Sequence, residues 1–159
     1  MNKENKLVPG LPSGFEDRWG KKVILKKKLL KAIENNFIKF GAEALETPSF
    51  EISENIGSFL AEDEANPMSD VFSLQDGDKS ITLRYDLSSP LARFYAQNNQ
   101  ELPSIFKRYQ IQNVFRTEKA GNGRYREFLQ ADFDIVGNVN PAQANAELCN
   151  LIFSTLSDC

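Results

Sequence analysis

The sequence predicts an α+β domain in which helices flank an antiparallel sheet. In residues 18–40, apolar side chains recur at steps of three and four residues, as on one face of a helix. An Asp-Gly step at 76–77 separates two short alternating runs and is the strongest hairpin signal in the chain. Two longer alternating runs flank the loop KAGNG at 119–123. Hairpin strands and helices in this order are typical of an antiparallel sheet with helices packed on it.

The first third of the chain predicts one long helix between less regular segments. Residues 7–17 are rich in Gly and Pro and predict an irregular leading segment. Helix 18–40 carries a lysine-rich face, which favours a solvated surface, and we expect Gly41 to end it. AEALETP at 42–48 predicts a short strand stopped by its proline, and FEISENIGSFLAED at 50–63 predicts a broken helix.

The middle of the chain predicts a hairpin followed by a short helix. DVFSLQ, DGDK and SITLRYDL, together residues 70–87, form the two strands and the turn of that hairpin. Ser88 or Ser89 is expected to cap the helix, with Pro90 at its first position and Asn98 near its end.

The last third predicts two long strands and a helix. SIFKRYQIQNVFRTE at 104–118 and RYREFLQADFDIVG at 124–137 form an antiparallel pair. Asn140 and Pro141 open the last helix, which runs to the end of the sequence without a Gly cap.

Composition excludes several classes of function. The chain has 159 residues with 41% hydrophobic content, which is enough for one domain with a real core. Its net charge of −3 argues against a surface that holds nucleic acid by charge alone. It contains no histidine, which removes serine-type triads and most zinc sites, and no Gly-rich phosphate loop is present. With two cysteines and no signal-peptide or membrane-length apolar run, we expect a cytoplasmic protein.

Residues 113–137 combine charges of both signs with aromatic side chains. Because side chains alternate across a strand, Arg116 and Glu118 share one face, and so do Phe128, Gln130, Asp132 and Asp134. The alternate residues of the second strand are apolar and predict the core face. Two interpretations are open: a solvated polar face, or an open sheet face that binds a nucleotide and an amine. A mid-strand arginine suited to a phosphate or carboxylate, and an aromatic beside polar groups, favour the second.

The same stretch resembles a known family. FRTEKAGNGRYREFLQADFDIVG at 115–137 closely resembles the second signature motif of class II aminoacyl-tRNA synthetases, in its histidyl-tRNA synthetase form. TLRYDLSSPLAR at 82–93 resembles that family's other histidine-binding segment, and PSGFEDR at 12–18 resembles its N-terminal Pro-x-Gly-x-x-Asp motif. The Asp-x-Asp of QADFDIVG is similar to the eukaryotic and alphaproteobacterial branch.

Helix 18–40 with FGAEALETP at 40–48 resembles the first signature motif, whose proline would be Pro48. The resemblance extends over about residues 8–157. It implies a class II catalytic core that is incomplete in this chain, and a homodimer with Pro48 at the interface.

For ATP, the resemblance implies four contacts. Arg116 would be catalytic and would hold both the α-phosphate and the carboxylate of the amino acid. Glu118 would contact the adenine amino group, Arg124 the γ-phosphate, and Phe128 would stack on adenine. Mg²⁺ would accompany the phosphates.

For histidine, the resemblance implies a pocket with two ends. The α-ammonium would be held by Asp86, Ser88 and Gln130, and Asp134 would accept a proton from the imidazole. The reaction implied is attack of the histidine carboxylate on the α-phosphorus with release of pyrophosphate, followed by transfer to tRNA. Such chemistry depends on positioning and charge neutralisation, which fits a chain without histidine.

Parts of the family pattern are not found in this sequence. The Leu-Val-Arg-Gly-Leu-Asp-Tyr-Tyr segment, the third signature motif and the anticodon-binding domain have no match. We therefore expect residues 1–159 to be the N-terminal portion of a catalytic domain, with tRNA contacted mainly elsewhere and little activity in isolation. The alternatives are a non-catalytic histidine-binding paralogue that regulates ATP phosphoribosyltransferase, and a bare dimerisation module.

Three assignments near the site remain open at the level of sequence. Arg84 and Asp86 could form a cross-strand surface pair worth under ~1 kcal/mol. Arg126 and Glu127 could be purely structural. Asp132 lies in the polar row without an assigned role.

Overall fold

The computed structural model describes residues 8–60 and 71–159, and within them it is an α+β fold as predicted. The helices are α1 (Lys21–Lys39), α2 (Ser53–Leu60), α3 (Ser88–Asn98) and α4 (Pro141–Asp158). The strands are β1 (Glu43–Ala44), β2 (Phe50–Ile52), β3 (Ser73–Asp76), β4 (Lys79–Leu83), β5 (Ile105–Phe115) and β6 (Glu127–Gly137). Residues 7, 61–63 and 70 of the predicted elements lie outside the described residues.

The first sheet has the strand order β1-β5-β6 and carries the long predicted hairpin. β5 and β6 are antiparallel in unbroken register from Ile105 opposite Gly137 to Phe115 opposite Glu127. β1 adds to the other side of β5 in parallel orientation, so this edge differs from the antiparallel pairing of the rest of the sheet. A parallel neighbour needs a long crossover, and here the second sheet and α3 supply it.

The second sheet has the strand order β2-β4-β3, and both of its pairs are antiparallel. The predicted hairpin is confirmed, with Asp76 opposite Lys79 around a two-residue turn. The broken helix predicted from residue 50 is wrong at its start, because residues 50–52 form β2. Glu51 points inward and is only 6% exposed, since its carboxylate receives two hydrogen bonds from Arg93 of α3, at 2.6 and 2.8 Å.

The ends of α1 and α4 follow their local sequence signals. α1 stops where Gly41, at φ 80°, lets its N–H donate to the carbonyl of Ile38 at 2.9 Å. α4 begins as predicted, because the Asn140 side chain accepts hydrogen bonds from the backbone N–H groups of Ala142 and Gln143.

The start of α3 differs from the prediction. α3 begins at Ser88, and neither serine provides a side-chain cap. The Asp86 carboxylate does so instead, accepting a hydrogen bond from the Ser89 N–H at 3.1 Å.

The core lies between the first sheet and helices α1 and α4. Phe37 of α1 packs against Tyr109 of β5 and Phe133 of β6, with ring centroids 5.7 and 5.6 Å apart, and Leu151 of α4 closes the cluster. Burying each such side chain contributes about 1.5–3 kcal/mol. The helices therefore occupy the face formed by the odd-numbered strand residues, which leaves the even-numbered face for other contacts. No helix in the described ranges is long and apolar enough to cross a membrane.

Candidate active site

The register of β5 and β6 assembles one continuous polar face. Paired residues point to the same side of a sheet, so every second cross-strand pair lies on the face opposite the core, and four of these pairs are used here. We call these eight residues the site face: Arg108 with Asp134, Gln110 with Asp132, Gln112 with Gln130, and Val114 with Phe128. The alternation expected from the sequence of β6 is therefore present, and it places Phe128, Gln130, Asp132 and Asp134 together.

Arg116 continues this face beyond the end of β5 and lies between two aromatic rings. Its guanidinium carbon is 4.3 Å from the ring centre of Tyr85 and 5.1 Å from that of Phe128. Its Nε donates to the Tyr85 carbonyl at 3.3 Å, and the nearest carboxylate oxygen, on Glu118, is 4.0 Å from Nη1. The rings fix the plane of the guanidinium without neutralising it. Arg116 consequently keeps charge and donors available for an anion.

Glu118 and Arg124 form the outer wall of a shallow cleft. Arg124 Nε donates to Glu118 Oε2 at 2.6 Å, and Arg124 Nη2 contacts the same oxygen. A cleft of about 280 Å³ is lined by these two residues with Arg116, Gly123, Tyr125 and Phe128. All four residues that the sequence assigned to ATP therefore border one cleft. The Arg124 side chain is 66% exposed, so it is free to turn toward a ligand.

The N-terminal segment braces this end of the hairpin through Arg126. The Arg126 N–H donates to the Gly14 carbonyl at 2.8 Å, and its side chain donates to the carbonyls of Glu118 at 3.0 Å and Ser13 at 3.4 Å. A Cβ on Gly14 would lie 2.6 Å from Arg126 Cγ. These contacts favour the structural interpretation of Arg126. Glu127 is likewise engaged structurally, since its carboxylate accepts from Asn113 Nδ2 at 2.7 Å.

Three carboxylates surround one buried guanidinium at the other end of the site face. Arg108 is fully buried, and its Nη2 lies 2.8 Å from Asp134 Oδ2. Burial raises the pKa of Asp134, and the positive charge of Arg108 opposes that rise. Burial also raises the pKa of Asp132, to which the negative charges of Asp134 and Asp86 add. The pKa of Arg108 is lowered by burial against the attraction of the three carboxylates.

The residues predicted to bind histidine differ in how close they lie to this cluster. Asp86 precedes α3 close enough for its charge to act on Arg108 and Asp132. Gln130 lies on the site face, and its side-chain oxygen is buried without a hydrogen-bond partner in the described structure. Ser88 lies exposed in the first turn of α3, next to Asp86.

Arg84 ties the two sheets together and is not a surface residue. It is 4% exposed, and its Nε donates to the Asn113 carbonyl at 2.6 Å. Its Nη1 donates to the carbonyls of Thr47 at 2.7 Å and Pro48 at 3.3 Å, and to Gln112 Oε1 at 3.1 Å. The alternative of an Arg84–Asp86 surface pair is therefore wrong. Pro48 itself is exposed.

Comparison with known proteins identifies the family of this chain. A sequence profile described as histidyl-tRNA synthetase matches residues 14–159. The chain belongs to the histidyl-tRNA synthetase family.

Curated relatives agree with this family assignment. A histidine–tRNA ligase of Pelagibacter ubique (strain HTCC1062) is 80% identical over 159 residues, which are 100% of this chain and 34% of that protein. A histidine–tRNA ligase of Bartonella quintana (strain Toulouse) is 43% identical over 156 residues, 98% of this chain and 31% of that protein. The chain thus spans about a third of the length of these relatives.

Solved structures show the same fold. The histidyl-tRNA synthetase from Nostoc sp. PCC 7120 is 28% identical with a TM-score of 0.79, over 93% of this chain and 34% of that one. A protein from Bacillus halodurans C, described as an ATP phosphoribosyltransferase regulatory subunit/histidyl-tRNA synthetase, has a TM-score of 0.81 at 23% identity. That match covers 99% of this chain and 39% of the other, and at this identity it shows the fold alone.

The four members of the site face that lie on β5, namely Arg108, Gln110, Gln112 and Val114, were not among the site residues predicted from the sequence. Arg108 and Gln110 are both fully buried, and Gln110 Nε2 donates to Thr47 Oγ1 at 2.8 Å. The signal that could have found them is parity, because all four share the face of Arg116. On the first strand the alternation was applied only around Arg116 and Glu118, so the polar residues earlier in that strand were not assigned to the site.

Proposed function

We propose that this chain forms the part of a class II histidine–tRNA ligase that holds ATP and histidine. In the longer protein, that site would activate histidine as histidyl-adenylate and pass it to tRNA. The observation that carries the proposal is the β5–β6 register, which puts Phe128, Gln130 and Asp134 on one face that Arg116 continues. Family membership suggests the reaction class, the motif resemblance suggests the division of roles, and the geometry is the support for both.

The nucleotide half of the proposal rests on the cleft at the Arg116 end. Arg116 would hold the α-phosphate, since its guanidinium is fixed in plane and lies 4.0 Å from the nearest acidic oxygen. Phe128 would exchange part of its contact with Arg116 for stacking on adenine. Glu118 would accept from the adenine amino group while exposed Arg124 turns toward the γ-phosphate. The ion pair between Glu118 and Arg124 would thus hold the cleft in place until ATP binds and the two side chains part to contact the adenine and the γ-phosphate.

The amino-acid half rests on the excess of negative charge around Arg108. Three carboxylates against one guanidinium leave the cluster anionic, which suits the cationic ammonium of histidine. The buried, unpartnered oxygen of Gln130 is a further acceptor for an N–H group. Asp86 and Ser88 would hold the ammonium with Gln130, and Asp134 would accept the imidazole N–H.

The chemistry then follows from the order of the two halves along the face. A carboxylate oxygen of histidine would form a bond to the α-phosphorus as the bond to the bridging oxygen breaks and pyrophosphate leaves. Arg116 would contact both reacting groups, so it would neutralise charge that develops at phosphorus. No protein side chain has to remove a proton in this step, because the attacking carboxylate is already ionised.

Mg²⁺ enters this proposal only as a companion of the ATP phosphates, where its oxygen ligands would come from the nucleotide. In the part of the chain that the structure describes, no group of three or more acidic or cysteine side chains is arranged to hold a metal ion. No step above is assigned to the metal. We also propose a cytoplasmic homodimer with the exposed Pro48 at its interface.

The experiment is histidine-dependent exchange of labelled pyrophosphate into ATP. It compares the 159-residue chain with the protein encoded by the gene read through past the codon for Cys159. The longer protein should catalyse the exchange of pyrophosphate into ATP. Arg116→Met should reduce its exchange rate by ~100-fold or more, as expected for a charge-stabilising group. Arg93→Met should have little effect on the exchange rate. The 159-residue chain should be weak or inactive. A longer protein that binds histidine and not ATP would instead favour the regulatory paralogue.

A further inference from the structure

One buried side chain joins the two ends of the proposed histidine pocket. Arg108 is fully buried beneath the site face. Its Nη2 lies 2.8 Å from Asp134 Oδ2 of β6 and donates at 3.1 Å to the carbonyl of Leu87, which directly follows Asp86. Its Nη1 donates to Gln110 Oε1 at 3.2 Å. The same guanidinium therefore holds the strand that carries the imidazole acceptor and the segment that carries the ammonium ligands.

The chemistry of arginine suits this double attachment. A guanidinium is a planar fork that stays charged in proteins and can hold two acceptors at a fixed separation, which a lysine ammonium cannot reproduce. Burying such a charge is unfavourable by several kcal/mol unless it is paired and hydrogen-bonded. Asp134 supplies the pairing, while Asp132 and Asp86 add attraction from the same side. A purely structural role would need only the pairing, and it would not require a link to the loop before α3.

We propose that Arg108 is a positioning residue that sets the distance between Asp134 and the Asp86–Ser88 segment, and thereby the length of ligand the pocket accepts. This inference rests on the proposed function and names the device that gives the site its selectivity. Arg108 does not touch the ligand, because its side chain is fully buried. Asp134 does, because 34% of its side chain stays exposed after pairing.

A second consequence concerns charge. Burial favours the protonated form of Asp134 by raising its pKa, and the positive charge of Arg108 opposes this. With Arg108 present, Asp134 remains an acceptor for an imidazole N–H. Without it, the carboxyl would hold its proton to a higher pH and lose part of that capacity.

The first test is a double-mutant cycle on histidine affinity, measured by calorimetry with Arg108→Met, Asp134→Asn and the double variant. Each single change should weaken binding by about 10- to 100-fold, the range for losing a charge-assisted hydrogen bond. In the Asp134→Asn background, Arg108→Met should add less than about threefold, because the two residues act as one unit. Fold-changes in affinity that multiply independently in the double variant would overturn the proposal.

Arg108→Lys should also weaken histidine binding, and wild-type affinity in that variant would equally overturn the proposal.

The second test does not depend on ligand binding and separates this inference from the proposed function. The carboxyl ¹³C signal of Asp134 is followed against pH in the wild type, Arg108→Met, Arg108→Lys and the control Arg93→Met. Arg93 pairs with Glu51 in the other sheet, so its loss breaks an ion pair without touching Asp134. Arg108→Met should move the Asp134 titration to higher pH, whereas Arg108→Lys and Arg93→Met should leave it near the wild type. If Arg108→Met does not fold, Arg108→Lys provides the test. An Asp134 titration in Arg108→Lys that is shifted from the wild type would contradict the proposal that the positive charge at position 108 keeps Asp134 ionised.

Failure of the wild type to bind histidine would count against the proposed function, and the titration would still decide the role of Arg108. An Asp134 signal that titrates identically in folded Arg108→Met and wild type would contradict the inference.

Discussion

Arg84 offers the sharpest test of how the site face is supported. Its guanidinium lies where β4 ends, and it bonds to two other parts of the chain: to Thr47 after β1, and to Asn113 and Gln112 of β5. Substituting methionine keeps the length and apolar volume of the side chain and removes every donor. The acceptors at Thr47 and Asn113 would then be left in a buried, poorly hydrated position, which is where an unmade hydrogen bond is most unfavourable.

The magnitude can be worked out in two ways. Three bonds of 2.6, 2.7 and 3.1 Å, at about 1 kcal/mol net each, give about 3 kcal/mol. Leaving a buried acceptor without its donor typically reduces stability by roughly 1–3 kcal/mol for each such group. We therefore expect Arg84→Met to lower the free energy of unfolding by about 3–5 kcal/mol. At an m value of about 2 kcal/mol/M, the urea midpoint would fall by about 1.5–2.5 M.

The assay is urea unfolding followed by far-UV circular dichroism, with m values compared between variants. Arg124→Met is the matched control, because it removes an arginine from an ion pair whose guanidinium is 66% exposed, and it should change stability by less than about 1 kcal/mol. Arg84→Lys should fall between the two, since an ammonium can reach only part of the network. A loss below about 1 kcal/mol for Arg84→Met, with an unchanged m value, would refute the reasoning.

Three further predictions concern the frame of the site. Gly14→Ala forces a φ of 86° on a residue whose Cβ would lie 2.6 Å from Arg126 Cγ. The free energy of unfolding should therefore fall by at least about 1–2 kcal/mol in a urea titration. The control Gly10→Ala, whose Cβ would meet no atom within 4 Å, should leave the free energy of unfolding unchanged. Burial raises the folded-state pKa of Asp132 above its ordinary value of 3.8. The stability that Asp132 contributes is therefore lost as the pH rises from 3.8 through the folded-state pKa. Across that range the melting temperature should change less with pH in Asp132→Asn than in the wild type, and a steeper change in the variant would contradict this. Asn140→Ala removes the cap of α4 and should lower the free energy of unfolding by about 1 kcal/mol, whereas no change in the urea midpoint would argue against the cap.

The features that the sequence predicted correctly are those that local chemistry decides. The alternation of β6 has a period of two residues, so the shared face of Phe128, Gln130 and Asp134 can be read without knowing what surrounds it. The start of α4 is also local, because Asn140 caps a helix whose first residue is proline. At α3, Asp86, Ser88 and Ser89 are all good caps, and local preference could not choose Asp86 over the two serines that follow Leu87.

The features that escaped prediction depend on partners distant in sequence. Glu51 turns a predicted helix start into a strand because its carboxylate is held by Arg93, 42 residues away. Arginine is mostly exposed in proteins, so nothing local indicates that Arg84 and Arg108 are buried. Their burial depends on acceptors that come together only when the two sheets meet, among them Thr47. The chemistry of the site face could thus be predicted from residue types, and the network beneath it could not.

The central claim is that the even-numbered face of the β5–β6 hairpin binds ATP at one end and histidine at the other. The most direct measurement is the backbone ¹H–¹⁵N spectrum of the ¹⁵N-labelled chain as ATP and then histidine are added. We predict that ATP shifts the signals around Arg116, Glu118 and Phe128, that histidine shifts those around Asp86 and Asp134, and that Arg116→Met abolishes the ATP response. Shifts confined to the helix-covered face around Phe37 and Leu151, or an ATP response that survives Arg116→Met, would contradict the account.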